Sequence, residues 1–224
     1  MDWNCIIINF NNFAYQTIKL KDTYLTIESQ SEGLFKDKGS KFIAFAFPVN
    51  NEDEIKQNLE NIRKKYYDAR HHCYAYRLGL EGNIYRTNDD GEPSNTAGKP
   101  IYGQILSHNL TNVLIIVIRY FGGILLGTGG LINAYKTAAA EALSNAKIIE
   151  KTEDNSIKII FDYTITNDVM KIISDEKAKQ ISSAYNEKCE LEISVRRNNY
   201  DSFIEKLKLL NSENIKIIVK VLHC

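Results

Sequence analysis

Three stretches hold the residue types that chemistry requires. Asp89, Asp90 and Glu92 stand within four positions at the head of a turn-rich run, 89–100, that also carries Ser94 and Thr96. Carboxylates clustered in this way can ligate a hard cation or supply a general base. They lack the regular spacing and distant glutamate of a calcium loop, and an Asp-Gly turn with solvated carboxylates is the other reading. Arg119 follows six consecutive aliphatics, 113–118, and precedes Gly122, Gly123, Gly127, Gly129 and Gly130. Glycines opening a helix can bare N–H groups to an anion, or can simply let a strand and a helix pack closely. The loop matches neither the phosphate-cradling P-loop nor the dinucleotide fingerprint.

An arginine at the end of an apolar strand requires an anion. Asp90 or Glu92 would serve as a charge-assisted partner joining the two stretches, and a substrate or phosphate is the alternative. His71 and Cys73 have the types for thiol chemistry, and residues two apart on a strand share a face. A semi-buried structural histidine and cysteine is the plainer account of them. No catalytic residue, metal or cofactor is assigned.

The elements that position these residues are legible from periodicity. Residues 24–27 form a β-prone run, and 41–49 a strand stopped by Pro48 and the Asn50-Asn51 pair. Asn51 and Glu54 resemble a capping box ahead of a helix with Ile55, Leu59 and Ile62 on one face and Arg63, Lys64 and Lys65 at its basic end. A strand at 72–78, a turn between Gly79 and Gly82, and a short helix or irregular segment over 98–108 follow. The aliphatic run 113–118 is a central strand covered on both sides. Leu131, Ala134, Tyr135, Ala138 and Ala142 then recur at helical spacing.

Beyond 150 the pattern is β-α-β-β-α-β. Ile157, Ile159, Phe161 and Tyr163 alternate as a strand; Val169, Ile172 and Ile173 mark a helix capped by Thr166 or Asn167. Strands at 180–185 and 190–196 turn at Asn186-Glu187. Tyr200, Phe203, Leu207 and Leu210 mark a helix capped by Asn198 or Asn199, and Ile215, Ile217, Val219 and Val221 close the set. Residues 1–21 have no clean period and read as an N-terminal extension, with 22–150 and 151–224 as two domains of an α+β protein.

The 224 residues carry 28 Lys+Arg and 28 Asp+Glu. Sixteen of each fall in 1–150 and twelve of each after it, so neither half is basic. That lowers the prospect of wrapping nucleic acid except through a local patch. Arg196, Arg197, Lys206 and Lys208 are the candidates for one. Four scattered cysteines without a C-x-x-C pair argue against a disulfide framework or structural zinc and fit a reducing cytoplasm. No signal sequence or membrane span is expected.

The motifs Asp68-Ala69-Arg70-His71-His72-Cys73, 89–100, Arg119-Tyr120-Phe121-Gly122-Gly123, Leu126-Gly127-Thr128-Gly129-Gly130-Leu131 and Ala134-Tyr135 closely resemble the YigZ/IMPACT family. Gly39-Ser40-Lys41-Phe42-Ile43-Ala44 matches its opening. The likeness is motif-specific over about 23–150 and rests on pattern over 151–224. It implies an N-terminal α+β domain similar to the fourth domain of elongation factor G and a ferredoxin-like domain similar to its fifth. It also implies a non-enzymatic regulator or factor of translation that binds RNA or a translation protein. An uncharacterised enzyme, or an anion-binding protein using the glycine loop, is the alternative. In eukaryotic members a partner in kinase control is engaged chiefly through an added RWD domain. Too few residues precede Thr23 for one, so that partner is not carried over. Asn95 replaces the glycine usual after Pro-Ser, and Leu125 and Asn133 stand where basic residues are common.

Overall fold

The computed structural model describes residues 22–210 and the backbone of Ile215–Ile218. The chain divides into a unit spanning Thr23–Lys151 and a second that includes Asp22 and resumes at Thr152. Both mix strands and helices, an α+β architecture in two domains.

In the first unit, β1 (Thr23–Ile27) pairs with β7 (Ile148–Thr152), while β2 (Ser31–Asp37), β3 (Ser40–Pro48), β4 (His71–Leu78), β5 (Ile84–Asn88) and β6 (Val113–Tyr120) form an antiparallel sheet ordered β2-β3-β6-β4-β5. The aliphatic run of β6 is wholly buried at the sheet centre, as a strand covered on both faces must be. Period-two alternation sorts β3: Phe42, Ala44 and Ala46 face α2 (Gly98–Ser107) and α3 (Gly127–Ser144), whereas Phe45 and Phe47 face α1 (Glu52–Lys65).

Asn51 caps α1 by accepting the Glu54 N–H at 2.9 Å. The Glu54 carboxylate reaches back one residue further than a capping box requires, to the Asn50 N–H at 2.8 Å. Of the two forms open to segment 98–108, it takes the helix, α2, with His108 as its C-cap. Strands β2 and β7 have no counterpart among the elements that periodicity predicts. Ser-Glu-Gly-Leu-Phe-Lys-Asp looks like a loop because three residues are charged and one is glycine. The glycine is there for α3: a Cβ on Gly33 would lie 2.3 Å from the Ala142 nitrogen. Ser31 Oγ reinforces that contact, donating to the Ala142 carbonyl at 2.7 Å.

In the second unit β8 (Asp154–Phe161), α4 (Thr166–Asp175), β9 (Lys179–Tyr185), β10 (Cys189–Arg196), α5 (Tyr200–Leu209) and β11 (Ile215–Ile218) follow the expected sequence. The sheet is antiparallel in the order β11-β8-β10-β9, consistent with a ferredoxin-like arrangement. Ile157, Ile159, Leu191, Ile193 and Val195 bury one sheet face against Val169 and Phe203 of the two helices. Tyr163 opens a 3-10 turn instead of ending β8. Thr166 and Asn167 do not cap α4: the N-cap is Ile165, and Thr166 Oγ1 donates back to the Tyr163 carbonyl. Asn199 holds the N-cap position of α5, but its amide donates to the Glu176 carbonyl and caps nothing. Residues 1–21, Val219 and Val221 lie outside the described residues. Among the described residues no helix is long and apolar enough to cross a membrane.

Candidate functional site

The acidic run is organised by its own carboxylates. Asp89 accepts three backbone N–H groups, from Asn95 at 2.9 Å, Ala97 at 3.0 Å and Gly98 at 2.8 Å. It thereby holds the turn that leads into α2. Asp90 and Gly91 both take positive φ, 41° and 86°, and the Asp90 N–H donates to Asn88 Oδ1. The Asp90 carboxylate turns to β4, accepting the His72 N–H at 2.7 Å, with Arg63 at 3.7 Å. Thr96 Oγ1 donates to the Pro93 carbonyl, and Ser94 is exposed. Asn95 has φ 65°, a conformation asparagine tolerates nearly as glycine does, which explains its place in this turn.

Glu92 goes inward. Its side chain is 3% exposed, and Oε1 accepts Arg119 Nη1 at 2.6 Å and the Tyr135 hydroxyl at 2.8 Å. Of the two partners expected for Arg119, Glu92 is therefore the one that meets it. The guanidinium carbon lies 5.6 Å from the ring centroids of both Phe42 and Phe121, and among the described residues Nε has no hydrogen-bond partner. His71 and Cys73 share a face of β4, as their spacing requires. His71 Nε2 is 4.0 Å from Glu92, and Cys73 Sγ is 3.3 Å from the Tyr135 oxygen and 3.0 Å from the Asp89 carbonyl. His71 Nδ1 lies 2.8 Å from the Asp90 carbonyl, which only accepts, so Nδ1 is the donor in this contact.

Chemically this is a closed charge pair with a protonated thiol beside it. Burial pushes the Cys73 thiol well above its ordinary range, against the smaller opposing effect of the Tyr135 hydrogen bond. Burial likewise raises the Tyr135 phenol, with Cys73 and Glu92 adding to it. A thiol held neutral is a poor nucleophile. Helical spacing puts Tyr135 on the core face and the family resemblance includes it, but neither gives it a partner. A phenol on an otherwise alanine-rich buried face is the signal that a polar partner lies across from it.

The glycines have separate duties. Gly122 is a point of backbone approach: a Cβ there would lie 1.9 Å from the Gly39 carbonyl carbon. Gly123 and Gly127 take φ 86° and 71°, and neither they nor Gly129 would meet anything with a Cβ. Gly130 would press a Cβ against Leu126. The first turn of α3 has no side-chain cap, and Phe121, Ile124 and Leu125 project from the loop, Leu125 with 83% exposure. This loop is open to solvent where the Arg119–Glu92 pair is shut.

In the second unit Arg196 grips Asp22 through Nε at 2.6 Å and Nη2 at 2.9 Å, a two-pronged contact that holds the Asp22 carboxyl below its ordinary range. Arg197 pairs with Glu153, and Lys206 with Glu176 at 2.6 Å. That bond lowers the Glu176 carboxyl and raises the Lys206 ammonium. Lys208 stands two residues on in α5. Among the described residues no three His, Cys, Asp or Glu side chains are grouped to hold a metal.

Comparison with known proteins gives concordant likenesses. The family model described as the Impact N-terminal domain matches residues 38–143. An IMPACT family member of Bacillus subtilis, YvyE, is 32% identical over 183 residues, covering 82% of this chain and 84% of its own. Its Escherichia coli counterpart, YigZ, is 30% identical over 183 residues, covering 81% and 90%. A crystal structure described as that of a hypothetical protein superposes with TM-score 0.69 at 27% identity, covering 91% of this chain and all of the other.

Proposed function

Because the chain belongs to the IMPACT family, we propose that it is a non-enzymatic, translation-associated regulator or factor that binds RNA or a translation protein in the cytoplasm. One observation carries the preference for binding over chemistry. Every carboxylate of the acidic run is committed to holding the fold: Asp89 to three backbone N–H groups, Asp90 to β4, and Glu92 to Arg119 and Tyr135. What the same region offers to solvent is a glycine-rich loop with apolar side chains, the kind of anchors that interfaces use.

We place the domain boundary near residue 150 and read the first domain as similar to the fourth domain of elongation factor G. The β11-β8-β10-β9 order supports a ferredoxin-like second domain. The test is a tagged pull-down from native lysate at low and high salt, with RNA sequencing and mass spectrometry on one eluate. Enrichment of ribosomal components or translation factors, reduced by Leu125→Asp, is the expected result. An eluate without them overturns the reading.

The uncapped first turn of α3 favours a second reading, a small-anion site at Gly127–Gly130. Thermal shifts with inorganic phosphate and phosphorylated metabolites test it. A ligand at one hundred times its Kd would stabilise the fold by about 2.7 kcal/mol.

A further inference from the structure

Strands β2 and β3 join through Lys38 and Gly39, at φ 44° and 77°, so that Asp37 faces Ser40 and Lys36 faces Lys41. Like charges directly opposed across a strand pair destabilise it. Lys36, Lys38 and Lys41 are exposed, and among the described residues no carboxylate oxygen comes within 4.0 Å of their ammonium groups. Alternation puts Asp37 on the other face of the hairpin. Glu32, the other acid of β2, faces Phe45 four residues from Lys36. That is roughly 13 Å along the strand, beyond the screening length of about 8 Å at physiological salt.

The hairpin's neighbours add to this surface. Tyr120 sits opposite Lys41 on β6 and donates its hydroxyl to Asp68 at 2.7 Å, which brings the segment after α1 alongside. Tyr67 in that segment is 85% exposed, with no ring stacked on it among the described residues. Lys65 leans over the rings of Tyr66 and Phe45 at 5.3 and 5.8 Å, again without a carboxylate. The contrast with the second unit is plain: Arg196, Arg197 and Lys206 each already hold an acid.

We propose that this lysine face of the first unit binds single-stranded RNA, with phosphates on Lys36, Lys41 and Lys65 and a base stacked on Tyr67. The proposal rests on the translation-associated reading and gives it a location. Opposed lysines that no carboxylate among the described residues reaches within 4.0 Å suit a polyanion. The exposed ring of Tyr67, in the segment that Asp68 ties to Tyr120, suits a base, which offers a flat face whatever its sequence. An acidic protein segment would use the lysines and leave Tyr67 without a role.

Fluorescence anisotropy of a labelled oligouridine, titrated with the full chain from low to physiological salt, tests this. In Lys36→Gln/Lys41→Gln the log–log salt slope should shrink by about 1.4, at about 0.7 per lost single-strand phosphate contact. Tyr67→Ala should weaken binding about tenfold or more at unchanged slope. Arg197→Gln/Lys206→Gln should alter neither. The Lys36→Gln/Lys41→Gln midpoint of thermal unfolding should not fall, since a like-charge pair is removed, so lost binding is not lost folding.

Unchanged affinity in the lysine variant, or no binding at low salt up to about 100 µM protein, overturns the proposal. So does a lysine-dependent, nuclease-resistant protein partner. If the lysine variant still recovers ribosomal components as the wild type does, the RNA face is wrong and the translation reading stands. If the wild type recovers none, the translation reading itself fails.

Discussion

Gly122 and Gly39 meet backbone to backbone: a Cβ on Gly122 would stand 1.9 Å from the Gly39 carbonyl carbon and 2.2 Å from the Ser40 nitrogen. Backbone cannot swing aside as a side chain can. Gly122→Ala is expected to cost about 2 kcal/mol or more, with the β2–β3 turn forced off the end of β6. Gly129→Ala, in a helical position with open space, is expected to gain up to about 1 kcal/mol from helix propensity. Urea denaturation of the two variants measures both. Equal effects would show that the glycines share one role.

The Arg119–Glu92 pair is buried on both sides. Removing one partner strands the other charge, so Arg119→Met or Glu92→Met should each cost about 3–5 kcal/mol. Arg119→Met/Glu92→Met should cost clearly less than the two single changes added together. Tyr135→Phe removes one hydrogen bond to the carboxylate, at about 1.5–3 kcal/mol. A double-mutant cycle read by chemical denaturation checks all three, and additivity would mean that the pair is not coupled.

Acid should act on the second unit through Asp22 and Glu176. Both carboxyls are held below their ordinary values of 3.8 and 4.5, chiefly by Arg196 and Lys206. A depressed folded value contributes stability that is present above the ordinary value and lost as pH falls through the lowered one. Lys206 is raised above 10.5, so its share is present below that value and lost as pH climbs past the raised one. Asp22→Asn and Glu176→Gln should each flatten the loss of stability below about pH 4.5 in denaturation curves taken across pH.

Cys73 and Cys189 are buried, and the Cys73 thiol is kept protonated by that burial. In a Cys5→Ser/Cys224→Ser background, an aromatic disulfide reagent should label neither until the protein opens. Fast native labelling of Cys73 would contradict the closed site and reinstate it as a reactive thiol.

The legible parts of this protein are those decided by short-range pattern. The aliphatic run of β6, the Asn51 cap and the alanine face of α3 each declare themselves within a few residues. Strand β2 does not, because its identity depends on Gly33 lying against Ala142, more than a hundred positions away. The expected Arg119 pairing was within reach, since a buried cation leaves few choices. Tyr135 closing that pair, and Arg196 turning to Asp22, were not: both join distant positions through contacts that no local period encodes.

The first unit is tied off at its neck. The Glu28 N–H donates to the Lys147 carbonyl at 2.9 Å, so β1 carries the chain in beside the strand, β7, that carries it out. In engineering terms Thr23–Lys151 is a cassette whose cut ends are already neighbours. A short glycine splice between them would close a small loop at little entropic cost, and new ends opened at Gly79, which is exposed, would give a circular permutant with the same sheet.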